Sequence, residues 1–369
     1  MAALVNGALP NQAFWRGRKV LVTGHTGFKG AWLSLWLSKL GADVVGFSNA
    51  VPTSPSLFAD LVLNDLITDI RGDVCDFAAV AEVMKETKPD IVLHLAAQSL
   101  VRLSYDQPME TYATNVMGTV HVLEAARQQK SVQLALVVTS DKCYENREWV
   151  WGYRENDPMG GHDPYSSSKG CAEIVASAYA RSFTKPGEGF RILSARAGNV
   201  IGGGDWALDR LVPDLVRGLS AEKTVPIRNP KAIRPWQHVL EPLSGYLLLC
   251  ERASETPSLA SQGWNFGPGS DSEVMVREVV ERICQLWSRP DGWQDVSGEA
   301  KQHEAQLLRL DCVKAHSILN WRPQWHLDEA LQATVDVYRS PLKGEALRGL
   351  LIRQIEQYTG ESEGISNGL

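Results

Sequence analysis

One stretch constrains this chain more than any other. From Lys19 it runs through a short β-branched segment, Val20-Leu21-Val22, and a turn, Thr23-Gly24-His25-Thr26-Gly27-Phe28-Lys29-Gly30. A helical pattern from Ala31 to Leu40 follows, with Leu33, Trp36, Leu37 and Leu40 on one side. Strand, glycine turn and helix in that order are what a dinucleotide site requires. Gly24 permits the tight turn, Gly27 lets backbone approach a pyrophosphate, and Gly30 lets the helix pack close to the strand. The first N–H groups of the helix then face the anion.

Further strands follow in the rhythm of a parallel sheet. A second strand, Asp43 to Phe47, ends in Ser48-Asn49-Ala50, with neither the acidic residue that holds an adenosine ribose nor an arginine suited to a 2′-phosphate, so this position leaves NAD and NADP open. Asp73, inside Ile70-Arg71-Gly72-Asp73-Val74, is either an acceptor for the adenine amino group or a turn carboxylate. The strand Ile91 to Leu95 ends in Ala96-Ala97-Gln98, where small residues let a cofactor pass close above the sheet. A long amphipathic helix from Met109 to Gln128 carries Asn115, which either bonds backbone near the site or faces solvent. The fold class predicted is α/β: a doubly wound parallel-sheet Rossmann domain with a smaller α/β substrate lobe. Residues 14–196 and 236–267 are assigned to the first, 197–235 and 268–358 to the second, and residues 1 to about 15 to a loose arm.

The chemistry concentrates between Thr139 and Lys169. An apolar run, Leu134 to Val138, predicts a buried parallel strand whose carboxyl end presents Ser140, Asp141 and Lys142 to a ligand crevice. Farther on, Asp163-Pro164-Tyr165 opens a helix, and Lys169 lies one turn beyond Tyr165 on the same face. A cation beneath a phenol stabilises its anion and brings a pKa of about 10 toward the working range of a base. After the next strand, Arg191 to Ala195, the glycine-rich run Arg196 to Trp206 suggests backbone closely approached by ligand. The segment Ile227 to Trp236 gathers three cations, Arg228, Lys231 and Arg234, a local excess suited to a diphosphate although the chain's net charge is −6. That negative balance gives no support for a nucleic-acid partner. Six scattered cysteines without C-x-x-C spacing read as reduced rather than as metal ligands or disulfides. No run approaches the roughly 18 apolar residues of a membrane helix, so the expected setting is the cytoplasm.

Gly24-x-x-Gly27-x-x-Gly30, Asp73, Tyr165-x-x-x-Lys169 and Arg234, in this order, resemble the extended short-chain dehydrogenases/reductases that act on sugar nucleotides, over residues 14 to about 340. Within that family, Ser140-Asp141-Lys142 is similar to the signature of the 4,6-dehydratases. The finer runs Gly24 to Gly30, Gly202-Gly203-Gly204-Asp205-Trp206, Ile233 to Val239 and His303-Glu304-Ala305 are most similar to the branch acting on CDP-glucose. The resemblance implies NAD as cofactor, CDP-glucose as the sugar-nucleotide partner, no metal, and a homodimer or dimer of dimers built on a four-helix contact. It implies further cofactor contacts at Thr26, Phe28, Lys29, Val74, Gln98 and Asn115, and substrate contacts at Asn199, Arg210, Arg228, Arg234 and Glu304. In the catalytic cycle it implies, Tyr165 takes the proton of the sugar 4-hydroxyl, Ser140 bonds the same oxygen, and Asp141 protonates the departing 6-hydroxyl. One departure stands out. Members acting on dTDP-glucose place Glu after that Asp, whereas this chain has Lys142, which leaves the C5 base open. A sugar-nucleotide 4-epimerase would share Tyr165, Lys169 and the glycine loop but would need neither Asp141 nor Lys142.

Overall fold

The computed structural model describes residues 7–184, 190–297 and 307–361. Seven strands, β1 (Lys19–Thr23), β2 (Asp43–Ser48), β3 (Thr68–Arg71), β4 (Ile91–His94), β5 (Leu134–Val138), β6 (Arg191–Arg196) and β7 (Gly263–Asn265), form one sheet in the order β7-β6-β5-β4-β1-β2-β3. Every pairing in it is parallel. The order reverses beside β1, and ligands of such sheets bind at the carboxyl ends next to that switch. Continuous apolar strands suit a sheet covered on both faces, and β5 shows the division: Leu134, Leu136 and Val138 enter one core cluster, Ala135 and Val137 the other.

The nine longer helices among the described residues are α1 (Phe28–Lys39), α2 (Phe77–Thr87), α3 (Gly118–Gln128), α4 (Pro164–Phe183), α5 (Leu211–Ser220), α6 (Leu240–Glu255), α7 (Val276–Leu286), α8 (Leu327–Arg339) and α9 (Gly344–Thr359). One face of the sheet is covered by α2, α3 and α4, the other by α1, α6 and α9. Helix α1 is buried from Gly30 through Leu37, Trp32 and Leu35 included, rather than along the single stripe its sequence predicts. A helix packed on all sides needs no polar face.

A third core cluster defines the smaller lobe, with Val212, Leu215 and Val216 of α5, Val279, Val280 and Ile283 of α7, and Leu327, Leu331 and Val335 of α8. Short strand pairs frame it: Val200–Ile201 with Gln237–His238, Val225–Ile227 with Trp293–Asp295, and Ile233–Pro235 with Glu273–Met275. Two boundaries differ from the sequence reading. Within 268–358, Ala315, Leu319 and Trp321 and the α9 residues Leu347, Leu351, Ile355 and Tyr358 pack into the sheet's core, not the lobe. Tyr358 donates to Glu241 Oε2 at 2.7 Å and meets Trp36 edge-on. The arm is docked from Ala8 onward. Its amide donates to Asn320 O at 2.7 Å, and fully buried Trp15 donates through Nε1 to Glu251 at 2.6 Å. No helix among the described residues is long and apolar enough to cross a membrane.

Candidate active site

The glycine turn closes on itself as a nucleotide loop must. Gly24 sits at φ +76, and a Cβ there would come within 2.7 Å of the Ala96 amide nitrogen, so loop and β4 end approach backbone to backbone. A Cβ on Gly30 would strike the Gly24 carbonyl oxygen at 2.1 Å, which seats α1 directly behind the turn. Gly27 caps α1 without any side-chain bond to the first amides, so these donors stay open toward the crevice. The residues present therefore fit a dinucleotide pyrophosphate. Below the loop, His94 bonds Thr23 through Nδ1 (2.7 Å) and Thr119 through Nε2 (3.1 Å). Burial pulls its pKa down to about 3, and it serves as a neutral strut.

Other expected cofactor residues gather along the same rim. Asp73 accepts from Cys75 N (2.8 Å) and Asn49 Nδ2 (3.4 Å), a turn carboxylate with its outer side half open. Val74 is buried behind it. Thr26 Oγ1 donates to Ala50 O at 2.7 Å and ties the loop to the end of β2. Ser48, where a ribose carboxylate would stand, instead bonds His25 Nδ1 at 3.0 Å. Asn115 takes the first of its two expected roles. It accepts from Gln98 N (2.9 Å) and donates to Gln98 O (2.9 Å) and Ser168 Oγ (2.8 Å), inside a π turn, Ala113–Met117, that bulges the helix toward Ala96-Ala97-Gln98.

All five expected catalytic residues meet at the end of β5. Ser140 caps a one-turn 3-10 helix, Asp141–Cys143, and its hydroxyl donates to Asp141 Oδ1 at 2.8 Å while also pairing with the Tyr165 phenol. Tyr165 lies in the first turn of α4, started by Pro164 and by Asp163, whose side chain accepts from Ser166 N. Asp141 is 1% exposed, with Oδ1 3.7 Å from Lys142 Nζ and Oδ2 buried without a hydrogen-bond partner. The phenol departs from its sequence expectation. Burial, only partly opposed by the Ser140 bond, pushes Tyr165 up to about 12. Lys169, lowered to about 8 by burial, donates from Nζ to the Val138 carbonyl at 3.2 Å rather than to the phenol.

Lys29 is more than a loop contact. Its amine, brought down to about 7 by burial and by the neighbouring Arg210, also lies within electrostatic reach of Asp141, Lys169 and Asp205. Arg210 bonds Asp205 (2.7 Å) and Ser99 (2.9 Å) and lies within electrostatic reach of Tyr165, on the roof of the crevice. Asn199 holds φ +47 beside the strand pair of the lobe. Arg228 and Arg234 are half-buried in the Ile227 to Trp236 segment, where Arg234 donates to the Ile233 carbonyl at 2.9 Å. Glu304 and its motif lie outside the described residues.

Sequence reasoning missed the scaffold beneath these groups. Glu173, one turn past Lys169 on α4, accepts from Thr139 Oγ1, from Ser194 Oγ (2.6 Å) and from Arg196 Nη2 (2.8 Å), and both members of the ion pair are 4% exposed. Burial alone would raise the Glu173 pKa, but Arg196 and the three donors outweigh it and hold it below the usual range. The available signal was the i, i+4 repetition Tyr165, Lys169, Glu173, polar residues lining one face of a helix otherwise rich in small ones.

A CDP-glucose 4,6-dehydratase from Salmonella typhimurium is 52% identical over 349 residues, covering 94% of this chain and 97% of its own. Among solved structures, an epimerase from Methanothermobacter thermautotrophicus superimposes with a TM-score of 0.77 at 24% identity, over 93% of this chain and 96% of that one. A dTDP-glucose 4,6-dehydratase from Bacillus anthracis in complex with NAD superimposes with a TM-score of 0.73 at 22% identity, over 91% and 100%. The family profile of GDP-mannose 4,6 dehydratase matches residues 21–334, and the chain belongs to that family.

Proposed function

We propose that this chain converts CDP-glucose to CDP-4-keto-6-deoxyglucose by oxidation, loss of water and reduction within one sugar, with NAD regenerated at the end of each cycle. The observation that carries the reading is the meeting of Ser140, Asp141, Lys142, Tyr165 and Lys169 at the mouth of one parallel strand, in a chain 52% identical to a CDP-glucose 4,6-dehydratase. The Gly24 to Gly30 loop, with Asp73 and Gln98 along its rim, would hold NAD, which when bound would supply the hydride acceptor for C4, the hydride donor for C6 and, while oxidised, a positive ring charge near the phenol. Such a charge favours the phenolate of Tyr165, which the protein alone holds at about 12. Tyr165 takes the proton of the 4-hydroxyl, and Ser140 steadies that oxygen. The resulting ketone acidifies the proton on C5. Lys142 removes it, Asp141 hands a proton to the 6-hydroxyl, and water departs with the C–O electron pair as the C5–C6 double bond forms. A lysine acts as a base only after losing its own proton. The 4-epimerase alternative leaves Asp141 and Lys142 without work.

An isotope experiment tests the cycle. With CDP-glucose deuterated at C4, the label is expected at C6 of the product, and a product that never carries it there ends the proposal. In Lys142→Met, exchange of the C5 hydrogen with solvent is expected to fall by about 10²-fold or more, the scale of a lost general base. Unchanged exchange clears Lys142 of the part.

We also propose a homodimer through the face formed by α4 and by residues 108–117, which lead into α3. Met109 is 80% exposed, Ile174 57%, Met117 47% and Phe183 42%, more apolar surface than a lone sheet face leaves open. Light scattering of Ile174→Asp is expected to report the mass of one chain where the native protein reports two. An undiminished mass would remove this face from the assembly.

A further inference from the structure

We propose that Gly198 is a positioning residue for Asp141: the side chain it lacks leaves the volume in which the Asp141 carboxyl is held. A Cβ built on Gly198 would lie 1.9 Å from Asp141 Oδ2, 2.2 Å from its Cγ and 2.9 Å from its Oδ1. The three nearest atoms all belong to that one side chain, and Gly198 is not among the residues at positive φ. Glycine is therefore needed here for the space behind a carboxyl group, not for its backbone freedom. The wall is stiff. Gln237, 2% exposed, donates through Nε2 to the Gly198 carbonyl (3.1 Å) and the Phe266 carbonyl (3.0 Å), and its own amide donates to Asn199 O (3.3 Å). The next residues, Val200 and Ile201, pair with Gln237 and His238. A backbone fastened at these points cannot retreat, so an added methyl group displaces the carboxyl. Asp141 has one short side chain and little room on its other flank, where Oδ1 is bonded to Ser140 and faces Lys142.

To restore ordinary contact, from 1.9 Å to at least 3.4 Å, the carboxyl must move more than an ångström toward the crevice. A misplacement on the order of 1 Å costs about 10²-fold in rate when the group acts in the transition state. This inference rests on the assignment of Asp141 as the acid that protonates the leaving hydroxyl. The three atoms nearest that Cβ all belong to Asp141 and none to Tyr165 or Lys169, which serve the preceding oxidation, so the displacement falls first on the elimination step.

The experiment compares Gly198→Ala, Asp141→Asn and the native holoenzyme with CDP-glucose, following reduced nicotinamide by absorbance and 4-keto product by quenching. In Gly198→Ala, product turnover is expected to fall by about 10²-fold. KM and NAD binding should stay within about twofold, with reduced nicotinamide accumulating because oxidation outruns elimination. A general loss of structure would instead slow both steps together, and that result, or native turnover, overturns the proposal. If Asp141→Asn accumulates reduced nicotinamide and Gly198→Ala does not, the positioning role falls while the acid role stands. If Asp141→Asn does not accumulate it, the acid role falls and this inference with it. A double-mutant cycle covers the case of poor folding. With Asp141→Ala in place there is no carboxyl to displace, so adding Gly198→Ala should change the melting temperature little, whereas a full second loss would show that the methyl group strikes something else.

Discussion

Tyr165→Phe is expected to abolish formation of the 4-keto sugar while leaving NAD and CDP binding intact, with a loss in kcat of about 10²–10⁴-fold, the range for a positioned general base. The substitution removes one oxygen from a ring that is 8% exposed and makes no backbone contact through its hydroxyl, so the fold has little reason to respond. No reduced nicotinamide should accumulate, since the first step is the one that fails; this separates the variant from those that disturb Asp141. Rapid-mixing absorbance with CDP-glucose checks both points. Turnover within about tenfold of native would mean that another group takes the 4-hydroxyl proton, and the crevice would have to be reassigned around Lys29, whose lowered amine pKa of about 7 makes it the next candidate.

The largest expected loss of stability lies two turns along the same helix. Glu173→Ala strands the Arg196 guanidinium at 4% exposure without its counter-ion, and breaking a buried pair from one side costs about 3–5 kcal/mol. It also removes the acceptor of Thr139 Oγ1 and Ser194 Oγ, which brace the ends of β5 and β6. Urea denaturation measures the difference, and a midpoint shift worth less than about 1 kcal/mol would contradict a structural part for the pair. The pH dependence has a definite sign. Because the folded Glu173 pKa is depressed, its contribution is fully present above the ordinary glutamate value and is lost as pH falls through the lower folded one. The stability gap between native and Glu173→Ala should therefore close toward acid.

What the sequence made legible was local. Val20-Leu21-Val22 and Leu134 to Val138 announce themselves as strands because a parallel sheet buries both faces, and the glycine loop because its spacing is dictated by backbone geometry. The spacing of Tyr165 and Lys169 was equally clear. Their proton affinities were not, since these depend on burial by segments far along the chain, and burial wins over the neighbouring charge. Distance in sequence also hid the docking of the arm, for Trp15 meets Glu251 across 236 positions, and the return of α9 to the sheet. Gly198 looked like one more glycine in a ligand-facing run, and only coordinates show that the neighbour it spares is Asp141.

The return of α9 bears on how the protein is made. The half that carries the nucleotide loop begins near Trp15, yet Tyr358 is one of the groups that complete its interior, bonded to Glu241 and Ser244 and set against Trp36. During synthesis the strands emerge long before that cap exists. Helices α1 and α6 must wait with an uncovered apolar flank until α9 has been made, which leaves the nascent chain exposed to aggregation over that whole interval.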